Sequence, residues 1–302
     1  CFPWTLSAII GTHVCLRQVR AEPIWNALAD EKVTHLCGAP IIMSMIAGAT
    51  EAERKPFDQQ VRMMTAAAPP PAPVIAAMEA MGIAITHVYG LTEVYGPAVV
   101  CAEKPDWSKL SMDEQARLKA RQGVAYELEE DVLVLDPDTG LPVPLDGETQ
   151  GEVAFRGNIV MKGYYKRPEE TAQAFRDGWF WSGDLAVQHP DGYIEIRDRA
   201  KDIIISGGEN ISSIEVENAL HSHPAVAFVA VVAMADDKWG EVPCAFVELV
   251  EGVSAGEQEL LEYARERLAG FKRPKKVVFG ELPKTTTGKI RKNELRERLQ
   301  GG

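Results

Sequence analysis

The chain has 302 residues, 46% apolar and 25% charged, which is typical of a globular protein with room for two domains. Its apolar runs are too short to span a membrane, no opening stretch resembles a secretory signal, and a net charge of −12 argues against nucleic-acid binding by the whole chain. The five cysteines are scattered without Cys-x-x-Cys spacing, so the sequence predicts neither disulfides nor a zinc site and favours a cytoplasmic location.

The first half of the chain alternates short apolar runs with helical patterns, which predicts an α/β body. VTHLCGAP (33–40) and ITHVYG (85–90) are typical of strands that run into loops, APPPAP (68–73) of a stiff loop, and PVIAAMEAMG (73–82) of a helix ending at glycine. Residues 1–10, CFPWTLSAII, have no initiator Met and an apolar character. We therefore expect the chain to be a piece of a longer protein whose N-terminal part is absent.

A small β-rich module is predicted after the α/β body. From about residue 130 the pattern changes to short strands with turn signals: DVLVLDPDTG (131–140), GEVAFRG (151–157) and GYIEIRDR (192–199). The charged segment RDRAKD (197–202) then has the character of a linker.

The last hundred residues predict a separate small α+β domain. The segment 211–223 is typical of a helix capped by Ser212 or Ser213 with Glu215 in its first turn. The remaining elements are two strands at 225–234 and 241–250, a helix at 257–270 closed by Gly270, a strand at 275–280 and a short helix at 293–299. Two unequal domains follow from this pattern.

Charge is unevenly distributed along the chain. Residues 271–300 contain ten Lys or Arg and three Glu, a net charge of +7, so the remainder carries −19. A basic tail on an acidic body is either a solvated helix face or a landing surface for a phosphorylated ligand.

The stretch PKTTTGK (283–289) places a Gly-Lys pair behind three threonines. A Walker loop needs a glycine five residues before that pair and a hydroxyl residue after it. Pro283 and Ile290 occupy those positions, so the Walker interpretation fails. From these residues alone, Lys289 is either a solvated loop lysine or a charge with another use.

Several motifs, each weak alone, occur in one order along the chain. They are YGLTE (89–93), GEVAFRGNIVMKGYYKRPEET (151–171), GWFWSGD (178–184), GYIEIRDRAKD (192–202), ISGGENIS (205–212) and PKTTTGKIRK (283–292). Together they closely resemble the acyl-adenylate-forming enzymes, which include acyl-CoA synthetases, the adenylation domains of peptide synthetases and beetle luciferases. The inserted WSKLSMDEQARLKARQG (107–123) most resembles the fatty-acid and methylmercaptopropionate CoA ligases.

The resemblance implies a reaction and a domain organisation. Such enzymes join a carboxylic acid to ATP with Mg²⁺, release pyrophosphate, and pass the acyl group from AMP to CoA. Residues 1–199 would be the C-terminal portion of the large AMP-binding domain, residues 200–202 a hinge centred on Lys201, and residues 203–302 a small mobile domain.

The resemblance also implies roles for single residues on the nucleotide side. Tyr89 would pack against adenine beside Gly90, Thr92 would hydrogen-bond the α-phosphate, and Glu93 would ligate Mg²⁺. Asp184 would accept from both ribose hydroxyls.

Four further residues complete the implied site. Arg199 would contact the ribose or phosphate, and Lys289 would point at the acyl carboxylate and phosphate oxygens during adenylation only. Gly207 and Gly208 would line the passage for the thiol arm of CoA, where a side chain would block a close backbone approach.

The sequence departs from the family pattern at several points. The Ser/Thr/Gly-rich phosphate loop of the family has no counterpart here, Trp181 stands where His or another polar residue is usual, and AAAPP (66–70) replaces a Gly-rich substrate loop. Gly38 and Pro40 should border the acyl pocket. For His35 nearby, a buried core histidine is the favoured interpretation.

The acid itself stays open, with medium-chain fatty, short thioether-bearing and aryl-alkanoic acids as candidates. An adenylating enzyme with another acceptor, such as a carrier-protein thiol or an oxygen, is the main alternative. An acyl-AMP-binding protein without turnover and a nucleic-acid-binding tail are further alternatives, and a homo-oligomer is possible.

Overall fold

The computed structural model describes residues 2–66, 70–127, 129–285 and 289–300. Two compact units divide the chain. The first unit comprises residues 1–133, 154–181 and 188–195, and the second comprises residues 134–153, 182–187 and 196–302. Within the described ranges, no helix has the length and apolar character needed to cross a membrane.

Helices and short strands alternate in the first 127 residues. The elements are α1 (Phe2–Ala8), α2 (Ala21–Asp30), β1 (His35–Cys37), α3 (Pro40–Ala47), β2 (Val61–Thr65), α4 (Ala72–Ala80), β3 (Ile83–Leu91), β4 (Gly96–Val100), α5 (Met112–Lys119) and β5 (Val124–Ala125).

Strands dominate from residue 129 onward, and helices return toward the end. The elements are β6 (Glu129–Leu135), β7 (Gly151–Gly157), α6 (Pro168–Ala174), β8 (Phe175–Arg176), β9 (Trp179–Gln188), β10 (Ile194–Arg199), β11 (Ile204–Ser206), β12 (Glu209–Ile211), α7 (Ser213–His221), β13 (Val226–Asp236), β14 (Gly240–Leu249), α8 (Glu257–Arg267), β15 (Lys276–Phe279) and α9 (Lys292–Gln300).

The first sheet has the order β1-β2-β3-β4-β5 among the described strands. β1, β2 and β3 are parallel, and β4 and β5 continue antiparallel. Alternate residues of β2 and β3 are buried, so these strands contribute Val61, Met63 and Ile83 to an apolar core shared with α2, α3 and α4. The α/β body predicted from the sequence is confirmed.

Among the described residues, the end of β3 has a neighbouring strand on one side only. Thr65 pairs with His87 in the last described register position between β2 and β3, whereas β4 accompanies β3 from Val88 to Leu91. The register with β4 is irregular between Tyr89 and Gly90. Within the part of the chain that the structure describes, β4 is therefore the hydrogen-bonded neighbour of β3 beyond His87.

A second sheet carries the strands between residues 129 and 199. Its order is β10-β9-β7-β6, and β8 pairs with β9. Phe155 of β7 and Phe180 of β9 are fully buried, with ring centroids 6.3 Å apart. This sheet is the β-rich module that the turn signals predict.

The third sheet has the order β12-β11-β14-β13, with β15 parallel to β14. Consecutive residues of β13 face opposite sides. Val229 and Val231 pack in one cluster with α7 and α8, while Ala230 and Val232 pack in another with Leu295 of α9. A small α+β arrangement is thus present in residues 203–300, as predicted.

Local signals locate some element ends well and others less well. Ser212 caps α7, because its Oγ accepts from the Glu215 N–H at 3.1 Å, so the predicted cap is confirmed. α8 ends at Arg267 rather than at Gly270, which lies in a following 3-10 turn. The segment predicted as a charged linker remains in β10 as far as Arg199.

Candidate functional site

A short turn follows β3 in the first unit. Thr92–Val94 form a 3-10 turn, and Tyr95 has a left-handed backbone with φ of +62°, after which β4 returns along β3. The Met161 N–H donates to the Glu93 carbonyl at 2.7 Å. This hydrogen bond from Met161 fixes the backbone of the turn, and Thr92 is exposed.

Glu93 has a partner that sequence reasoning missed. The Tyr164 hydroxyl donates to Glu93 Oε1 at 3.0 Å. Burial, together with this hydrogen bond, raises the pKa of Tyr164, so the phenol keeps the proton that it donates. Tyr164 lies within the GEVAFRGNIVMKGYYKRPEET motif, but nothing in its local pattern distinguishes it from the adjacent Tyr165.

Tyr89 and Gly90 precede this turn on β3. The ring of Tyr89 lies 5.8 Å, centroid to centroid, from the buried ring of Phe155. A Cβ added at Gly90 would lie 1.8 Å from the carbonyl oxygen of Gly96. Glycine is required at position 90 because the backbone of β4 approaches too closely for a side chain.

Asp184 and Arg199 form an ion pair in the second unit. Arg199 Nε lies 3.1 Å from Asp184 Oδ1, and the Asp184 side chain is only 6% exposed. The backbone around Asp184 is fixed, because the Gly183 N–H donates to Glu152 Oε1 at 2.8 Å and the Gly183 carbonyl accepts from the Ala200 N–H at 2.9 Å.

Lys289 belongs to the same unit as this pair. The Thr285 N–H donates to the Lys289 carbonyl at 2.8 Å, and the Lys289 N–H donates to Thr285 Oγ1 at 3.1 Å. Partial burial, and then repulsion from Arg199, lower the pKa of Lys289, while Asp184 opposes the shift. The charges of Asp184 and Arg199 thus both act on the ammonium of Lys289, and the residue itself is exposed.

A buried polar network was not predicted from the sequence. Asp198 accepts from both the N–H and the hydroxyl of Ser213, at 2.5 and 2.7 Å. Lys292 Nζ donates to Ser213 Oγ and to Glu217 Oε1, both at 2.7 Å. Burial disfavours the charge of Lys292, but attraction to Glu217 and Asp198 outweighs it and raises the pKa of Lys292.

The predicted hinge lies next to this network. Lys201 is exposed, and Asp202 beside it forms an ion pair with Arg296 of α9. β10 ends at Arg199, directly before the hinge that the resemblance implies at 200–202. A pivoting role for these residues stays a prediction.

Gly207 and Gly208 form the two-residue turn between β11 and β12. Their φ angles are +61° and +89°, which favour glycine. A Cβ at Gly207 would lie 2.8 Å from the ring of Trp239, whereas a Cβ at Gly208 would have no heavy atom within 4 Å. Of these two glycines, Gly208 is therefore the one at which an added side chain would enter open space.

The remaining sequence-based interpretations have different outcomes. Trp181 is buried, and the guanidinium of Arg176 lies 3.8 Å from its ring centroid. The interpretation of His35 as a core residue is wrong, because the residue is exposed and contacts the neighbouring Thr34 Oγ1 at 3.0 Å. Much of the substrate stretch 66–70 and of the loop 283–289 lies outside the described residues, at positions 67–69 and 286–288.

The two groups of site residues can now be set beside known proteins. The family model described as "AMP-binding enzyme" matches residues 1–165, and the model described as "AMP-binding enzyme C-terminal domain" matches residues 215–289. The chain belongs to the AMP-binding enzyme family. Both residue groups lie in a chain of this family, although the matches assign no role to any one of them.

The AMP-binding enzymes most similar to this chain include plant ligases. The peroxisomal acetate/butyrate–CoA ligase of Arabidopsis thaliana is 51% identical over 99% of this chain and 54% of its own length. The acetate–CoA ligase of Humulus lupulus is equally similar, with the same coverage. Among solved structures, ATP-bound MatB of Rhodopseudomonas palustris has a TM-score of 0.79 at 29% identity, over 95% of this chain and 55% of that chain. The chain thus spans about half the length of these relatives.

Proposed function

We propose that the whole protein containing this chain is an AMP-forming acid–thiol ligase. It joins a carboxylic acid to ATP, releases pyrophosphate, and then transfers the acyl group from AMP to the thiol of CoA. The observation that carries this proposal is the ion pair between the buried Asp184 and Arg199, whose two charges act on the ammonium of Lys289. Support comes from the relatives named as CoA ligases, which match nearly the entire chain.

Lys289 supplies the charge that adenylation requires. A carboxylate that attacks the α-phosphate of ATP brings two anions together, and a positive group aimed at that point stabilises the transition state. An ammonium on a flexible stem suits this role, because it is a compact charge that can be moved in and out.

The nucleotide is held by residues of distinct chemistry. Tyr89 packs against adenine, and the exposed Thr92 hydroxyl donates to the α-phosphate. Asp184 accepts from the ribose hydroxyls, which suits a carboxylate on a backbone that is already hydrogen-bonded. Arg199 pairs with that carboxylate and contacts the ribose or phosphate.

Glu93 is suited to hold Mg²⁺ beside the phosphates. Mg²⁺ prefers hard oxygen ligands and is usually bound by one or two carboxylates together with phosphates and water. Glu93 would be one such carboxylate, with substrate oxygens and water as the other ligands. Mg²⁺ bound there would neutralise phosphate charge.

The thiol of CoA approaches along Gly208. Its turn exposes backbone with no neighbouring atom where a side chain would begin, and that leaves room for a narrow substrate arm. Gly207 supports the turn from the other side, where it packs against Trp239.

The acid is a short monocarboxylic acid. This choice rests on the names of relatives near 50% identity, which act on acetate, butyrate and 2-methylpropanoate. Cytoplasmic location and a homo-oligomer stay predictions from the sequence, and the Arabidopsis relative is named as peroxisomal.

The test is a pyrophosphate-release assay on the whole protein, with direct detection of acyl-CoA. The acids are acetate, butyrate, 2-methylpropanoate, octanoate and trans-cinnamate, each assayed with and without CoA. We expect release that depends on a short acid and acyl-CoA as the product. Acyl-AMP that accumulates without thioester would favour another acceptor, and AMP binding without turnover would contradict an enzymatic function.

A further inference from the structure

The buried side chain of His87 in β3 hydrogen-bonds to the inserted segment 107–123. His87 is 2% exposed, and its Nδ1 lies 2.9 Å from the Arg121 carbonyl and 3.0 Å from the Ala120 carbonyl. Burial lowers the pKa of His87 to about 4, so the ring is neutral at physiological pH. Because both neighbours of Nδ1 are acceptors, Nδ1 carries the proton and donates it.

The carbonyls that His87 contacts follow the last residue of α5. Carbonyls at a helix end have no partner inside the helix and need one elsewhere. The Cys101 thiol contacts a third carbonyl in this region, that of Leu118, at 3.3 Å. His87 of β3 and Cys101, the residue after β4, thus contact the same helix end.

The inserted segment is also anchored independently of His87. Arg121 makes two hydrogen bonds to Asp191, both at 3.1 Å, and its guanidinium lies 4.4 Å from the ring centroid of Tyr193. Lys119 is buried and pairs with Glu79 of α4 at 2.5 Å. The segment is therefore a fixed point to which β3 is attached.

His87 occupies the last position at which the described residues of β2 and β3 pair. Tyr89 lies two residues further on. The strand then continues beside β4 and leads into the turn that carries Thr92 and Glu93. A hydrogen bond at His87 fixes the point from which the site residues project.

We propose that His87 is a positioning residue, which attaches β3 to the inserted segment and so sets the placement of Tyr89, Thr92 and Glu93 toward ATP. This inference rests on the proposed ligase function. A small displacement of such residues can reduce a rate by a large factor, because reaction geometry tolerates little error.

The experiment compares two amides at position 87 in the whole protein. In His87→Asn the side-chain NH₂ is two bonds from Cβ, as Nδ1 is in histidine, so the carbonyl contacts are kept. In His87→Gln the NH₂ lies one methylene further out, and the contacts are lost. We expect His87→Gln to raise the KM for ATP about tenfold, because the free energy of one buried hydrogen bond corresponds to a factor of about this size. The KM for CoA should not change. His87→Asn should stay within about threefold of wild type.

Cys101→Ala is the matched control, because it removes the thiol contact to the same helix end and keeps the backbone hydrogen bond from the Cys101 N–H to the His87 carbonyl. It should lower the Tm but leave the KM for ATP as in wild type. An unchanged KM for ATP in His87→Gln, or a failure of Asn to restore it, would assign His87 to the fold alone. Failure of wild type to bind ATP or release pyrophosphate would instead overturn the proposed function, and this inference with it.

Discussion

The guanidinium of Arg199 lies 3.1 Å from the buried carboxylate of Asp184, at a backbone that Glu152 and Ala200 hold in place. Asp184→Asn removes the charge and leaves Arg199 without its counter-ion there. We expect a higher KM for ATP and slower adenylation, corresponding to about 1.5–3 kcal/mol for a hydrogen bond to a charged group. Steady-state kinetics with varied ATP measure this. An ATP dependence equal to wild type would remove Asp184 from the nucleotide site.

A second prediction concerns a carboxylate outside the site. Both oxygens of Glu129 are buried without a hydrogen-bond partner among the described residues, and burial raises its pKa to about 7. The folded state therefore binds this proton more tightly than the unfolded state does. Stability is lost as pH rises from about 4.5 to above 7, because the carboxylate must ionise in a dry environment.

Glu129→Gln should therefore increase the free energy of unfolding by about 1–2 kcal/mol at pH 8.5 and change it little at pH 5. Urea unfolding at the two pH values measures the difference. Glu127→Gln is the control, since Glu127 is an exposed carboxylate of the same segment. Equal gains for Glu129→Gln at both pH values would contradict the assignment of a raised pKa.

Lys292 lies three residues after Lys289 but differs from it in burial. Lys289 is exposed, whereas the side chain of Lys292 is buried against Glu217 and Ser213. Lys292→Met leaves Glu217 without its cation, so we expect a loss of about 3–5 kcal/mol in unfolding free energy. The double variant Lys292→Met/Glu217→Leu should recover part of it, because the carboxylate paired with Lys292 is removed and only Asp198, which keeps its hydrogen bonds from Ser213, stays buried as a charge there. A double variant no more stable than the single one would show that Lys292 does not act through Glu217.

The turn at Gly208 gives a prediction for thiol transfer. Gly208→Leu should slow acyl transfer to CoA and spare adenylation, since the side chain enters space that is open in this structure. A positive φ also strains any L-residue, so the control is Gly140→Leu, with φ of +70° and equally open surroundings. Equal loss of both half-reactions in Gly208→Leu, or the same kinetic change in Gly140→Leu, would mean that the glycine serves the fold.

The sequence predicted the structural features that depend on interactions between residues close to one another in the chain. The Ser212 cap and the strands predicted at 85–90 and 225–234 each depend on residues close in sequence. The resemblance supplied Asp184, Arg199 and Lys289, and the structure pairs the first two of them.

The features that were missed depend on residues distant in sequence. Lys292 meets Ser213 across 79 positions, Tyr164 meets Glu93 across 71, and His87 meets Arg121 across 34. None of these residues carries a local signal for its partner, because a lysine, a tyrosine or a histidine in an amphipathic pattern is equally compatible with exposure. The position of His35 was predicted wrongly for the same reason, since the short β1 has one paired neighbour among the described strands and leaves the residue exposed.

Lys289→Ala, measured separately in the two half-reactions of the whole protein, tests the central claim most directly. We predict that acid-dependent pyrophosphate release falls by about 10²–10³-fold, because a charged group that stabilises the adenylation transition state is lost. Thioester formation from supplied acyl-AMP and CoA should stay within about threefold of wild type, with little change in Tm. Lys284→Ala is the matched control, since this lysine of the same segment pairs with Glu248. Normal adenylation by Lys289→Ala would contradict the account and return Lys289 to the status of a solvated loop lysine.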